Sequence, residues 1–184
     1  ICICFLIINI KISIKKEDKM KNIRRFLIDD ENLDKLFPLI EEIPCERIEI
    51  AYLSIGAVEE KLVRTNDRCM RYIKLCDDRV RDLMREKFSE KLSITQYERL
   101  KRRHIGHILE KERYTIGLAK GVIARVDLYS GRLTGLNVIT IEWENKIGSY
   151  SFIPFDFFSR EIMNNENFTQ KLAMSKESLD LSIL

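Results

Sequence analysis

The chain has 184 residues, 45% of them hydrophobic, which suits one folded domain of ordinary size with a substantial core. Its 32 basic residues are nearly balanced by 29 acidic ones, so overall charge does not mark it as a nucleic-acid binder. Five cysteines (Cys2, Cys4, Cys45, Cys69 and Cys76) are odd in number and lack paired metal-ligand spacing, which points to a reduced, cytoplasmic setting.

Ile1–Ile10 is mostly apolar and β-branched. It has no basic residues ahead of it and no small-residue cleavage site after it, and it is too short to span a bilayer. No membrane association is expected. We read 1–19 as an extension outside the domain, either translated upstream sequence or a signal-anchor remnant. Residues 20–175 form the domain, and 176–184 a tail.

From Met20 the pattern becomes regular. Arg24–Ile28 reads as a strand, and Asp29-Asp30-Glu31-Asn32 supplies helix-start signals. Leu33, Leu36, Phe37 and Ile40 follow at helical spacing, with Pro38 expected to kink or restart the helix. Ile48–Ile55 is a strand, and Glu59–Thr65 with Cys69–Leu75 forms a hairpin about Asn66-Asp67-Arg68. Asp77–Asp82 reads as a charged loop, and Arg85–Leu92 alternates as a further strand. Ser93-Ile94-Thr95-Gln96 has the form of a capping box, and Tyr97, Leu100, His104 and Ile108 are expected on one helical stripe.

Three alternating segments follow between Ile108 and Glu144. Lys111, Arg113 and Thr115 share one face of the first. In the second, Val126 and Leu128 oppose Arg125, Asp127 and Tyr129. In the third, Ile139, Ile141 and Trp143 oppose Thr140, Glu142 and Glu144. Gly117, Gly121 and Ser130-Gly131 are expected to separate them. The polar faces carry both signs of charge, so this sheet can curl around a charged interior.

The order Glu-Lys-x-Arg-Tyr, Val-Asp-x-Tyr-x-Gly, then Gly-Leu-x-x-x-x-Ile-Glu resembles the second half of the CYTH family, the triphosphate tunnel metalloenzymes. Other landmarks follow in order. Lys21-Asn22-Ile23-Arg24-Arg25-Phe26-Leu27-Ile28 stands where the family has Glu-x-Glu-x-Lys and an apolar run. Ala51-Tyr52-Leu53-Ser54 resembles its Gly-Tyr-Leu-Ser, and Glu59–Lys74 its Arg-rich hairpin. Arg160-Glu161 and Leu172-Ala173 match the C-terminal landmarks more loosely. The resemblance covers about residues 20–175. It implies an α+β fold: an antiparallel eight-stranded β-barrel, the triphosphate tunnel, with flanking helices.

A triphosphate carries about four negative charges, and holding it needs converging Lys and Arg side chains, Arg offering forked contacts. In the family's chemistry a divalent ion held by carboxylates bridges phosphate oxygens. The resemblance therefore implies phosphate contacts from Arg25, Lys61, Lys74, Arg85, Lys111 and Arg113. Val63 replaces one family Arg, and Arg64 is its alternative. Metal, Mg or Mn, is implied at Glu59, Asp127, Glu142 and Glu161. Solvated strand charges and simple salt bridges are the competing reading of the same residues. The acidic set is thinned: Lys21, Ile23, Lys87, Ser89, Arg125 and Thr140 stand at positions where the family shows carboxylates.

The remaining candidates read as structural. His104 is expected on the packed stripe near His107, and Cys69 as a packed thiol. Arg99, Lys101, Arg102 and Arg103 read as a solvated helix face, and Phe152, Phe155, Phe157 and Phe158 as a cap on the barrel end. The functional expectation is a tunnel that binds triphosphate or polyphosphate, with no nucleic-acid partner and with catalysis impaired. The alternative is an active Mg-dependent triphosphatase, on inorganic or thiamine triphosphate, or a class IV-type adenylate cyclase. Oligomeric state is left open, and no residue is singled out as catalytic.

Overall fold

A computed structural model describes residues 22–75, 87–144, 151–162 and 168–175. The expected extension 1–19, the tail 176–184, Lys21, Arg85 and the loop 77–82 lie outside them.

Nine strands form one sheet: β1 (Asn22–Leu27), β2 (Cys45–Ser54), β3 (Val58–Thr65), β4 (Arg68–Leu75), β5 (Lys87–Leu92), β6 (Ile105–Ala119), β7 (Val122–Tyr129), β8 (Asn137–Trp143) and β9 (Glu161–Ile162). Their order is β5-β4-β3-β2-β6-β7-β8-β1-β9, with every neighbouring pair antiparallel. The α+β antiparallel expectation holds. The difference is at the closure: the order has two ends, and among the described residues no ladder joins β5 to β9. The ninth strand is the two-residue β9, too short to be read as alternation.

Local chemistry sets the turns. Asn66 takes a left-handed conformation (φ 51°) between β3 and β4, which Asn tolerates. Its Oδ1 accepts from the Arg47 amide at 3.0 Å, anchoring the hairpin tip to β2. Gly121 (φ 74°) makes the β6–β7 turn. Gly117 does not end the first segment as expected. It lies within β6 beside a register shift, so the fifteen-residue strand runs on to Ala119.

Helix α1 (Leu33–Ile40) follows a 3-10 turn and keeps Pro38 within it. Helix α2 (Ile94–Lys101) carries the anticipated capping box: Gln96 N donates to Ser93 Oγ at 3.2 Å, and Ser93 N to Gln96 Oε1 at 2.8 Å. The helical stripe stops short of expectation. His104 is exposed and Ile108 belongs to β6, because α2 ends at Lys101, a turn through Arg102 and Arg103 follows, and the strand begins at Ile105. Ile108 still packs against the cluster that holds Tyr97, as Leu100 does, but from a strand. Helix α3 (Phe168–Met174) closes the described chain.

The sheet's two faces are covered differently. One face packs under α1, Phe157 and Phe158 (with Phe26, Val126, Ile141 and Trp143) and under α2 (with Ala51, Leu62, Cys69 and Leu92). The Phe cluster therefore covers this outer face rather than capping a barrel end, because Phe26 and Trp143 face it. Cys69 is buried there, and burial pushes its thiol upward, so it is a packing group. The other face holds α3, whose Phe168, Leu172 and Ala173 pack on Ile50, Tyr52, Leu109 and Val138. Gly106 is required here: a Cβ would lie 2.5 Å from the Ala173 carbonyl oxygen. No helix among the described residues is long and apolar enough to cross a membrane.

Candidate functional site

Register alone brings the charged residues of four strands together. Across β1-β8-β7-β6, Arg25 lies opposite Thr140, Thr140 opposite Arg125, and Arg125 opposite Thr115. One rung along, Val138 lies opposite Asp127, and Asp127 opposite Arg113. Because alternate residues share a face, Lys111, Tyr129 and Glu142 point the same way. They line a cavity of about 120 Å³, which Phe168 and Thr169 of α3 border as well. The sheet thus curls around this face.

Within the cavity Asp127 is the hub. Its Oδ1 accepts from Arg113 Nε at 2.6 Å, while Oδ2 accepts from an Arg113 terminal nitrogen and from Lys111 Nζ, both at 2.7 Å. Asp127 and Lys111 are about 4% and 5% exposed, which makes them a desolvated pair. Burial raises the Asp127 carboxyl, but the Arg113 fork and Lys111 outweigh it and hold it below its ordinary value. Burial also pushes Lys111 down to about 8, with Asp127 opposing that and Arg113 adding to it. The Lys111 ammonium also lies 5.1 Å from the centroid of the Tyr129 ring. Next to the hub, Arg125 pairs with Glu142, and the Arg25 guanidinium lies 5.8 Å from the Phe168 ring centroid.

The other expected residues do not join this cavity. Glu59 and Lys61 share the inner face on β3 and pair at 2.9 Å, while Gln170 of α3 donates to the second oxygen of Glu59. Lys74 lies opposite Glu59 on β4. These three form a second inner group beside α3. Glu161 is on the opposite face: it lies across from Phe26, and Arg24 clasps both its oxygens at 2.8 and 2.7 Å. The loose match at Arg160-Glu161 gave its position but not its facing. The four carboxylates expected to hold metal are therefore split among three places, and each has a cation on it. Among the described residues no group of three or more His, Cys, Asp or Glu side chains gathers at a point.

Several cavity residues were legible only as departures or not at all. Arg125 and Thr140 stood out as replaced carboxylates, and both do line the cavity. Tyr129 shared the polar face of its strand. Phe168 and Thr169 carried no signal, because α3 reaches the site through distant contacts: Tyr52 Oη and Thr169 Oγ1 lie 2.6 Å apart.

A larger open groove of about 840 Å³ lies by the β3–β4 tip and α2, lined by residues of both signs, including Arg47, Glu49, Arg64, Glu110 and Glu112. Unlike the inner cavity, its described lining has no surplus of positive charge.

No model of a known protein family matches the chain. An inorganic triphosphatase of Nitrosomonas europaea is 29% identical over 94 residues, 50% of this chain and 62% of that protein, so the match spans under two thirds of that relative's length. Among solved structures, the crystal structure of an inorganic triphosphatase superposes with a TM-score of 0.67 at 22% identity, covering 85% of this chain and 96% of that one. A putative adenylate cyclase from Bacillus halodurans gives 0.51 at 12% identity, covering 81% and 96%. At these identities the two structures speak for the fold.

Proposed function

We propose a triphosphatase-type function, a triphosphate or polyphosphate held in the inner cavity, for this chain, which carries the fold of the triphosphate tunnel (CYTH) family. The observation that carries this reading is the cavity's charge: among the described residues lining it, four cations (Arg25, Lys111, Arg113 and Arg125) face two carboxylates, Asp127 and Glu142. A small, shielded cavity with surplus positive charge favours a compact polyanion over a neutral or cationic ligand. Arg113 and Arg125 supply forked donors, and Lys111 a point charge. In this reading Lys61 and Lys74, in the inner group beside α3, meet a longer chain of phosphates.

Hydrolysis is slow or absent in this reading. The Mg²⁺ or Mn²⁺ that the resemblance implies does not fit the described carboxylates, because none gathers with two others and each is already engaged by a cation. An active triphosphatase is the second reading, and the 29% identity to an inorganic triphosphatase favours it. Calorimetric titration with tripolyphosphate, followed by phosphate-release assays with Mg²⁺, tests both. Binding without phosphate release supports the proposal. Brisk release gives the second reading, and no binding under any condition removes both.

A further inference from the structure

Resting on that reading, we infer that Asp127 and Glu142 are built-in counter-ions which a bound polyphosphate displaces, and that this chain holds the anion by direct contact with its cations rather than through a divalent ion.

The lone pairs give the first argument. Asp127 already accepts three charge-assisted hydrogen bonds, two on Oδ2 and one on Oδ1, leaving about one of its roughly four acceptor positions. A Mg²⁺ ion at that position would sit about 2.1 Å from the oxygen. It would then be within a few ångströms of both Lys111 and Arg113, in a place where water screens little. Glu142 offers no better site, since Arg125 engages it.

Register gives the second argument. Thr140 stands between Arg25 and Arg125 on adjacent strands, and it is buried. A hydroxyl carries no charge, so two cations flank a neutral side chain at the cavity wall. Adding a dication beside described lining residues that number four cations to two carboxylates is opposed, whereas a polyphosphate oxygen can replace a carboxylate oxygen with no change of donor. Asp127 and Glu142 then act as placeholders. They keep the buried cations paired and correctly aimed until the ligand arrives.

This assignment and a metal-ligand role predict opposite signs for one variant. Tripolyphosphate is titrated into the whole chain by calorimetry, in EDTA and again in excess Mg²⁺, for wild type and Glu142→Gln. A counter-ion role predicts binding in EDTA that tightens about five- to tenfold in Glu142→Gln, the gain expected when one competing charge is removed. Asp127→Asn is the second variant. Because it also leaves Lys111 buried beside Arg113, its thermal unfolding is followed in parallel, and any gain in stability on adding tripolyphosphate in EDTA counts as binding. Mn²⁺ alone, followed by electron paramagnetic resonance, should show no tightly bound ion. Binding seen only with Mg²⁺, or lost in Glu142→Gln, overturns the inference while leaving the polyphosphate site standing. No binding in either medium overturns the site and the inference together.

Discussion

Asp127, buried, and Glu49, partly buried, are carboxylates on opposite faces of the same sheet, and each is clasped by cations. Asp127 on the inner face holds Lys111 and Arg113. Glu49 on the outer face accepts from Tyr97 Oη at 2.7 Å and from Lys101 Nζ at 3.1 Å, with Arg64 at 4.0 Å. In both, burial pushes the carboxyl upward and the hydrogen-bonding partners outweigh it, leaving it below its usual range. What separates them is balance. Around Glu49, Arg64 and Lys101 are matched by Glu49 and Glu98, so the cluster is complete in itself and serves to fix α2 to the sheet. Around Asp127, among the described residues lining the cavity, cations outnumber carboxylates. A charged cluster points to a ligand through its surplus of one sign, and of these two clusters the inner one has it among the described residues.

Reversing that imbalance is the strongest way to break the comparison. Among the described lining residues, Arg125→Glu with Thr140→Glu changes four cations against two carboxylates into three against four. Tripolyphosphate affinity in EDTA should fall on the order of a hundredfold, and Mn²⁺ binding should appear in paramagnetic resonance. An unchanged affinity would mean that these two positions do not govern the cavity. Arg113→Ala is next. It removes the fork and leaves Asp127 with one partner, so the same affinity should drop by about ten- to thirtyfold.

Outer-face changes should leave binding alone and act on stability. Glu49→Gln should cost about 2 kcal/mol at neutral pH, measured by denaturant unfolding. The sign follows from its lowered folded value. The stabilisation is complete above the ordinary carboxylate value and drains away as the pH falls below it, so the gap between variant and wild type should close in acid. A gap that persists there would mean the loss comes from packing rather than charge. Ser93→Ala is the smallest effect, removing one half of the α2 capping box for about 1 kcal/mol, read as a shift in the denaturation midpoint.

Sequence alternation revealed the half of the site that rests on strands. Lys111 with Arg113, and Arg125 with Asp127, face together simply because side chains alternate. Alternation could not say whether an isolated residue on a two-residue strand faces in or out, so Glu161 was grouped with residues that it turns its back on. Nor could local pattern show that α3 lies on the inner face. That depends on Gly106 admitting Ala173 and on Tyr52 meeting Thr169, contacts between residues more than sixty positions apart. The stripe through His104 failed for another reason: helical spacing in the sequence continued past Lys101, where the helix ends.

Strand β6 lies near the middle of the sheet, with β2 laddered along one side and β7 along the other. Lys111 and Arg113 therefore ride on backbone that is already held on both flanks, and their amides should exchange with solvent deuterium among the slowest in the chain. An anion arriving at these residues has little main-chain freedom left to remove. Its association should be fast and nearly free of any slow ordering phase, and the exchange rates along β6 should be the same before and after it binds.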